Sequence, residues 1–292
     1  MKAKYINPFT DFGFKRIFGE EASKLILIDF LNSLLPESGI VDLAFKDKEK
    51  LGQRNEERKA VYDIYCETST GEKIIVELQK AIAAANRQKY FKDRTIYYSS
   101  FPIQEQAERG DWDFRLKSVY CVGILDFKFE DEQQNIGEVI HTVQLKDQHN
   151  QVFYDKLKFV YLEMPHFLKS DTELDTRLDK WLYFIKYLED FQNIPAVFND
   201  EIFEQAFEKA EIAKYSVKER DEYEESLKLF RDYNNTLDTA FDEGKIEGKI
   251  EGKIEGKIEE KIEIAKTMKA DNEPIDKIIR YTGLTKDEIE KL

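Results

Sequence analysis

Val61-Tyr-Asp-Ile-Tyr-Cys-Glu-Thr-Ser-Thr-Gly-Glu-Lys-Ile-Ile-Val-Glu-Leu-Gln79 reads as two strands joined by a tight turn, with one acid on each strand. Residues 61–67 and 73–79 alternate and are rich in Val, Ile and Tyr, the pattern of β-strands. Ser69-Thr70-Gly71 suits a three-residue hairpin loop, with Gly where φ must be positive. If Thr68 pairs with Glu72, Asp63 sits directly opposite Glu77, on one face and with Cβ atoms about 5 Å apart. Gln79, two residues on, shares that face. Tyr62, Ile64, Val76 and Leu78 line the other face, which serves as the core side. Two adjacent carboxylates repel each other in a low-dielectric setting unless a cation sits between them. An oxygen-only pair of this kind suits Mg²⁺. A cross-strand acid pair left in solvent accounts for the same pattern without a metal.

On the N-terminal side, a helical pattern begins at Asp11, and Phe14, Ile17, Phe18, Leu25, Ile28 and Leu31 form its apolar stripe until Pro36 and Gly39 stop it. Asp11 and Lys15 stand one turn apart. They form a local ion pair or, alternatively, place an auxiliary acid and a phosphate-binding lysine near the hairpin. Ile40–Phe45 is a short strand candidate and Lys46–Lys59 a charged, exposed connector. On the C-terminal side, residues 81–108 read as a helix that Pro102 bends or ends. Its Arg87, Lys89, Lys92 and Arg94 suit a phosphate backbone, with Tyr90 or Tyr97 stacking on a base. A solvated helix face gives the same spacing. Ser118–Phe127, Val139–Leu145 and Leu157–Met164 read as strands, Trp181–Phe191 as an amphipathic helix, and Ala196–Phe241 as wholly helical.

Charge is unevenly spread. Residues 1–110 hold 18 Lys/Arg against 17 Asp/Glu, a net of +1, so residues 111–292 carry −15 of a chain whose net charge is −14. This argues against a generic nucleic-acid binder, but leaves the near-neutral front half open to phosphate contacts that need a divalent cation. No run of 18 apolar residues occurs, so no membrane span is expected, and the N-terminus lacks a signal-peptide segment. Cys66 and Cys121 lie in strand-like runs and read as buried free thiols, which fits a cytoplasmic protein. His141, His149 and His166 show no metal-ligand spacing.

The tail changes character. Gly-Lys-Ile-Glu occurs four times from Gly244 to Glu259, and Glu260–Glu263 is a degenerate fifth copy. On a helix the five Ile advance about 40° per repeat, so a partner following them coils right-handedly. Each Gly weakens a helix interior by about 1 kcal/mol relative to Ala. The segment is therefore either a helix stabilised by association or a mobile linker. Pro274–Leu292 reads as two short helices about a Thr-Gly turn, with a Thr285/Glu288 capping box. Asp287, Glu288 and Glu290 on its second helix favour a packing or oligomerisation unit over a DNA reader. Four regions are expected: 1–190, 191–243, 244–263 and 264–292.

Asn7-Pro-Phe-Thr-Asp-Phe-Gly-Phe-Lys-Arg-Ile-Phe-Gly19, then Asp63, then Val76-Glu-Leu-Gln-Lys80, with Tyr90-Phe-Lys-Asp-Arg94 and Tyr97-Tyr-Ser-Ser-Phe-Pro102, carry a resemblance. Taken in order, they resemble the Rpn family of recombination-promoting nucleases and transposases, which are PD-(D/E)XK proteins. The likeness runs over nearly the whole chain and is firmest in residues 5–105. It implies an α/β fold: a PD-(D/E)XK restriction-endonuclease-like core, a mixed sheet flanked by helices, with an acidic all-helical C-terminal region. It also implies a DNA endonuclease, associated with transposition or recombination, that uses Mg²⁺, with Mn²⁺ as a substitute. Carried over residue by residue, Asp63 and Glu77 match the acidic metal ligands and the backbone carbonyl of Leu78 a third. Gln79 stands where the name-giving motif has Lys, and is expected to position the attacking water. Lys80 follows it, on the opposite face unless the strand ends there, and is the other catalytic candidate for activating the water. Lys15, Arg87, Lys92 and Arg94 are the expected DNA contacts, and Asp11 the auxiliary acid. A catalytically silent protein of the same fold, acting as a homo-oligomerising module through its tail, is the competing expectation.

Overall fold

The computed structural model describes residues 3–46, 49–50, 60–79, 90–107, 110–129 and 137–292. These form two compact units, residues 1–233 and 234–292. The helices are α1 (Asp11–Phe18), α2 (Lys24–Leu34), α3 (Phe91–Glu105), α4 (Arg177–Tyr187), α5 (Glu201–Ala210), α6 (Val217–Ala270), α7 (Ile275–Thr282) and α8 (Lys286–Glu290). The strands are β1 (Leu43–Phe45), β2 (Glu49–Lys50), β3 (Ala60–Val61), β4 (Ile64–Thr68), β5 (Lys73–Gln79), β6 (Val119–Leu125), β7 (Ile140–Lys146) and β8 (Val152–Glu163).

Six strands form one mixed sheet in the order β1-β4-β5-β6-β8-β7. β5, β6 and β8 run parallel, and the remaining neighbours pair antiparallel. Strand alternation sorts the residues into two cores. Ile74 and Val76 of β5, with Tyr120, Val122 and Ile124 of β6, pack with α1, α2, α4 and α5 around Phe18, Phe30 and Trp181. Ile75, Val119, Cys121 and Leu125 face the other way, onto Phe91 of α3. Both faces are therefore apolar and covered, which is why β5 and β6 read as near-continuous apolar runs. This is the α/β fold of the sequence expectation, a mixed sheet flanked by helices with a helical C-terminal region.

Several local expectations are corrected. Residues 11–34 are two helices with a 3-10 turn at Glu21–Ser23, not one. The break resets the helical phase, so Leu25 is 57% exposed while Ile26 and Leu27 are buried. Tyr62 does not share the face of Ile64. The chain bends at Asp63 between β3 and β4, and Tyr62 packs on Tyr65 and Tyr98 in the α3-side core. The third strand of the C-terminal run starts at Val152 rather than Leu157, because its exposed first half pairs with β7. The aromatic helix starts at Arg177, where Thr176 and Asp179 form a capping box, and stops at Tyr187. Residues 196–241 are not one helix. Between α5 and α6 the chain turns to pair with the N-terminal segment, through Ile6 N–H to the Ala210 carbonyl and Ile212 N–H to the Lys4 carbonyl, both at 3.0 Å.

Pro102 neither ends nor stops α3, which continues to Glu105. Its missing N–H leaves the Tyr98 carbonyl without the usual i+4 donor; the Tyr62 hydroxyl donates to that carbonyl instead, at 3.1 Å. One hydrogen bond thus ties the acid-bearing hairpin to the helix above it. In the second unit, Ala265, Ile278 and Ile289 form a small core. The predicted Thr285/Glu288 capping box is present. The Gly-Lys-Ile-Glu repeats lie within α6. Ile246, Ile250, Ile254 and Ile258 are each about half exposed, and a Cβ built on Gly244, Gly248, Gly252 or Gly256 meets nothing within 4 Å.

Candidate active site

The hairpin folds in the predicted register. Thr68 N–H donates to the Glu72 carbonyl at 2.9 Å and Gly71 takes a φ of +89°. The ladder runs through Ile64 opposite Val76, and beyond that pair the backbone hydrogen bonds give way to side chains. The Asp63 N–H donates to Glu77 Oε1 at 3.3 Å, and Leu78 N–H donates to Asp63 Oδ2 at 2.7 Å. Each acid therefore accepts a backbone donor at the end of the other strand. This reciprocal lock fixes both carboxylates together at the C-terminal end of β5.

Glu77 is buried. Burial, and then the Asp63 charge, push its carboxyl up to about 8, against the opposing pull of Arg94, the Asp63 N–H and Lys15. An acid so raised holds a proton at neutral pH unless a cation replaces it. The donor set fits a hard divalent cation: carboxylate and carbonyl oxygens, with no thiol or imidazole. Among the described residues no group of three or more His, Cys, Asp and Glu is disposed to hold a metal. A two-carboxylate site is the kind that Mg²⁺ occupies while keeping several waters.

α1 brings Asp11 beside Asp63. Asp11, Phe14, Asp63 and Leu78 line one recess of about 40 Å³. The Asp11–Lys15 ion pair of the local reading also exists, at 2.7 Å. Gln79 is buried, and its side-chain oxygen accepts a short hydrogen bond from the Arg94 guanidinium. Arg94 lies against the rings of Phe91 and Tyr98, at 5.0 and 5.9 Å. It is thus directed onto the sheet beneath α3. Lys92, two residues earlier, is exposed and sits 4.4 Å over the Phe129 ring. Lys80 and Arg87 lie outside the described residues, as does most of the Lys46–Lys59 connector.

The chain matches the family model of PD-(D/E)XK nuclease family transposases over residues 8–240. It belongs to that family. No curated protein and no solved structure shows significant similarity to it. In this transposase-family protein Gln79, which the resemblance sets where the motif has Lys, has a cation one hydrogen bond behind it, on Arg94.

Sequence reasoning did not find the aromatic cover of the site. Tyr62 and Tyr98 meet edge to face at 5.4 Å; burial and then other charges, Glu77 among them, raise both phenols. They remain donors. The signal was Tyr97-Tyr-Ser-Ser-Phe-Pro102, in which the proline exposes the carbonyl that Tyr62 takes. A second polar cluster was also missed. Glu163, fully buried at the end of β8, has His141 Nε2 at 3.5 Å and His166 Nε2 at 3.3 Å, and its Oε1 accepts the Phe129 N–H at 3.3 Å.

Proposed function

We propose that this protein is a divalent-metal-dependent DNA endonuclease of the transposase-associated kind. The observation that carries this reading is the reciprocal lock of Asp63 and Glu77, found within a nuclease-family fold. Asp63, Glu77 and the Leu78 carbonyl would hold Mg²⁺, with Mn²⁺ able to substitute. A bound divalent cation supplies Lewis-acid polarisation of the phosphate and a more acidic water. Glu77 would hold such a cation as a carboxylate, the facing charge outweighing its burial. Gln79 and Arg94 together take the place of the motif lysine. The guanidinium fixes the amide and adds positive charge where the phosphorane becomes more negative. Lys15 and Lys92 contact phosphates of the flanking DNA, with Arg87 and Lys80 as further basic groups near the motif, and Asp11 supports the water shell. Among the described residues no helix is long and apolar enough to cross a membrane. Cys66 and Cys121 are buried free thiols, which supports a reducing, cytoplasmic setting.

Incubation of supercoiled plasmid with protein and Mg²⁺ tests the assignment. Wild type nicks it, and Asp63→Ala and Glu77→Ala each lower the rate by about 10²–10³. Equal nicking by all three proteins removes this site from the reaction. The silent-module reading draws support from Gln79 in place of lysine; absence of calorimetric Mg²⁺ binding to the wild type would favour it.

The tail supports a partner role in either case. Four glycines with open space beside them and half-exposed Ile along one helix suit close packing of i±4 ridges against a second copy. Deleting residues 244–292 is expected to lower the oligomeric mass in light scattering while residues 1–190 keep their fold; an unchanged mass contradicts it.

A further inference from the structure

α3 meets the sheet on a thin apolar stripe. Its buried residues are Phe91, Thr95, Ser99 and Pro102, so a single large apolar side chain docks a helix of 15 residues. Apolar burial has no direction, and a stripe this thin leaves the roll of the helix poorly defined. Hydrogen bonds to buried polar groups supply the missing direction. Thr95 Oγ1 lies 2.7 Å from the Tyr161 hydroxyl of β8. The Tyr65 hydroxyl of β4 donates to Glu105 Oε2 at 2.6 Å. Between these anchors the Tyr62 hydroxyl donates to the Tyr98 carbonyl at 3.1 Å.

The Tyr62 bond differs from the other two in what it connects. Tyr98 lies under the Arg94 guanidinium, 5.9 Å from its ring centre, and meets the Tyr62 ring edge to face. A backbone hydrogen bond from Val61 also reaches the Tyr98 phenol. The contacts close a circuit around the acid pair. Asp63 accepts the Leu78 N–H, and the next residue, Gln79, accepts from Arg94. Arg94 rests on Tyr98, and Tyr98 accepts from Tyr62, the neighbour of Asp63. Proline at 102 completes it, because an N–H there would compete with Tyr62 for the same carbonyl.

We propose that Tyr62 is a positioning residue: its hydroxyl, bonded to the carbonyl that Pro102 frees, holds Tyr98 in place and so sets Arg94 onto Gln79. The inference rests on the nuclease reading and deepens it, by naming what aligns the cation that stands in for the motif lysine. Tyr62 is buried and acts only through α3. Ring packing alone fixes a distance, whereas the hydrogen bond also fixes an angle. Without the hydroxyl the rings still pack, but α3 rolls about its anchors at Thr95 and Glu105. Arg94, a long side chain with many rotamers, then leaves the Gln79 amide.

Tyr62→Phe keeps the ring and removes only the hydroxyl, and is tested in the full chain by two measurements. The first needs no activity. In protein carrying isotope-labelled arginine, the Arg94 side-chain N–H resonances are assigned by their loss in Arg94→Met. They are expected to be protected from solvent exchange in the wild type and to lose that protection in Tyr62→Phe. The second is plasmid nicking in Mg²⁺. Tyr62→Phe is expected to lower kcat about 10-fold with KM unchanged. Tyr62→Phe/Arg94→Met is expected to be no slower than Arg94→Met, because both changes act through one group. Adding Pro102→Ala to Tyr62→Phe gives the Tyr98 carbonyl a donor inside the helix. That double variant is expected to regain melting temperature but neither kcat nor the Arg94 protection. Unchanged Arg94 protection in Tyr62→Phe, wild-type kcat in Tyr62→Phe, or recovery of kcat with Pro102→Ala overturns the proposal. If the wild type nicks in those cases, the nuclease reading stands without it. If the wild type does not nick, that reading falls, and the Arg94 resonances alone decide whether Tyr62 places the guanidinium.

Discussion

Glu77 and Glu163 are buried on the same face of one sheet, two strands apart, yet their surroundings are opposite. Glu163 has two imidazoles and a backbone N–H about it. Glu77 has one backbone N–H and a second carboxylate, with Arg94 and Lys15 acting on it electrostatically. One acid has two imidazoles and an amide set around it by the fold. The other is held, by the reciprocal lock with Asp63, in a place where only protonation or an added cation relieves it. Burial alone does not mark a functional carboxylate; burial beside a like charge, with the geometry fixed by backbone donors, does.

Neutralising each acid breaks the comparison most sharply. Glu77→Gln is expected to abolish nicking, by about 10²–10³, and to raise the melting temperature of the metal-free protein at pH 8. The sign follows from the raised carboxyl. In the fold Glu77 holds its proton up to about 8, whereas in the unfolded chain it ionises near about 4.3. Its favourable contribution is present below the lower value and is lost as pH rises through the upper one. Metal-free wild type should therefore lose stability between these values, and Glu77→Gln should flatten that slope in denaturant titrations at pH 5 and pH 8. A flat wild-type profile would count against the strained pair.

Restoring the motif lysine gives a smaller effect. Arg94→Met should lower nicking by about 10-fold to 100-fold, since Gln79 loses the group that fixes it. Gln79→Lys should also be impaired, because it sets a second cation against Arg94. The double variant Gln79→Lys/Arg94→Met should be more active than either single one. If the double is no better, the two residues do not act as a unit.

The smallest effect belongs to Glu163. Glu163→Gln should lower stability by about 1–3 kcal/mol, because it sets an amide where the buried carboxyl accepts the Phe129 N–H and faces two imidazoles, while nicking per folded molecule persists. A rise in stability matching that of Glu77→Gln would erase the distinction between the two sites.

The hairpin was legible because its information is local. Ser69-Thr70-Gly71 sets the turn, the turn sets the register, and a period of two then places Asp63 opposite Glu77 whatever surrounds them. Tyr62 was misplaced for the converse reason. One bend at Asp63 resets the alternation, and that bend answers to the end of the ladder with β5, which short-range pattern does not contain. Leu25 was misplaced by the same kind of phase reset. The long α6 shows a different limit: the repeat specified a helix or a linker equally well, since four glycines oppose the helix and its Lys, Glu and Ile favour it.

The amino-acid order by itself determined the acid pair, its turn, the family likeness and the alternation that makes β5 and β6 central strands. Tertiary structure alone decided that Arg94 stands behind Gln79, that His141 and His166 meet at Glu163, and that the Tyr62 hydroxyl reaches the Tyr98 carbonyl. The physical reason is separation along the chain. Neighbours a few residues apart are fixed by backbone geometry, but partners such as Glu163 and His141 meet only once strand order and helix docking, set by burial of both apolar faces, have been settled.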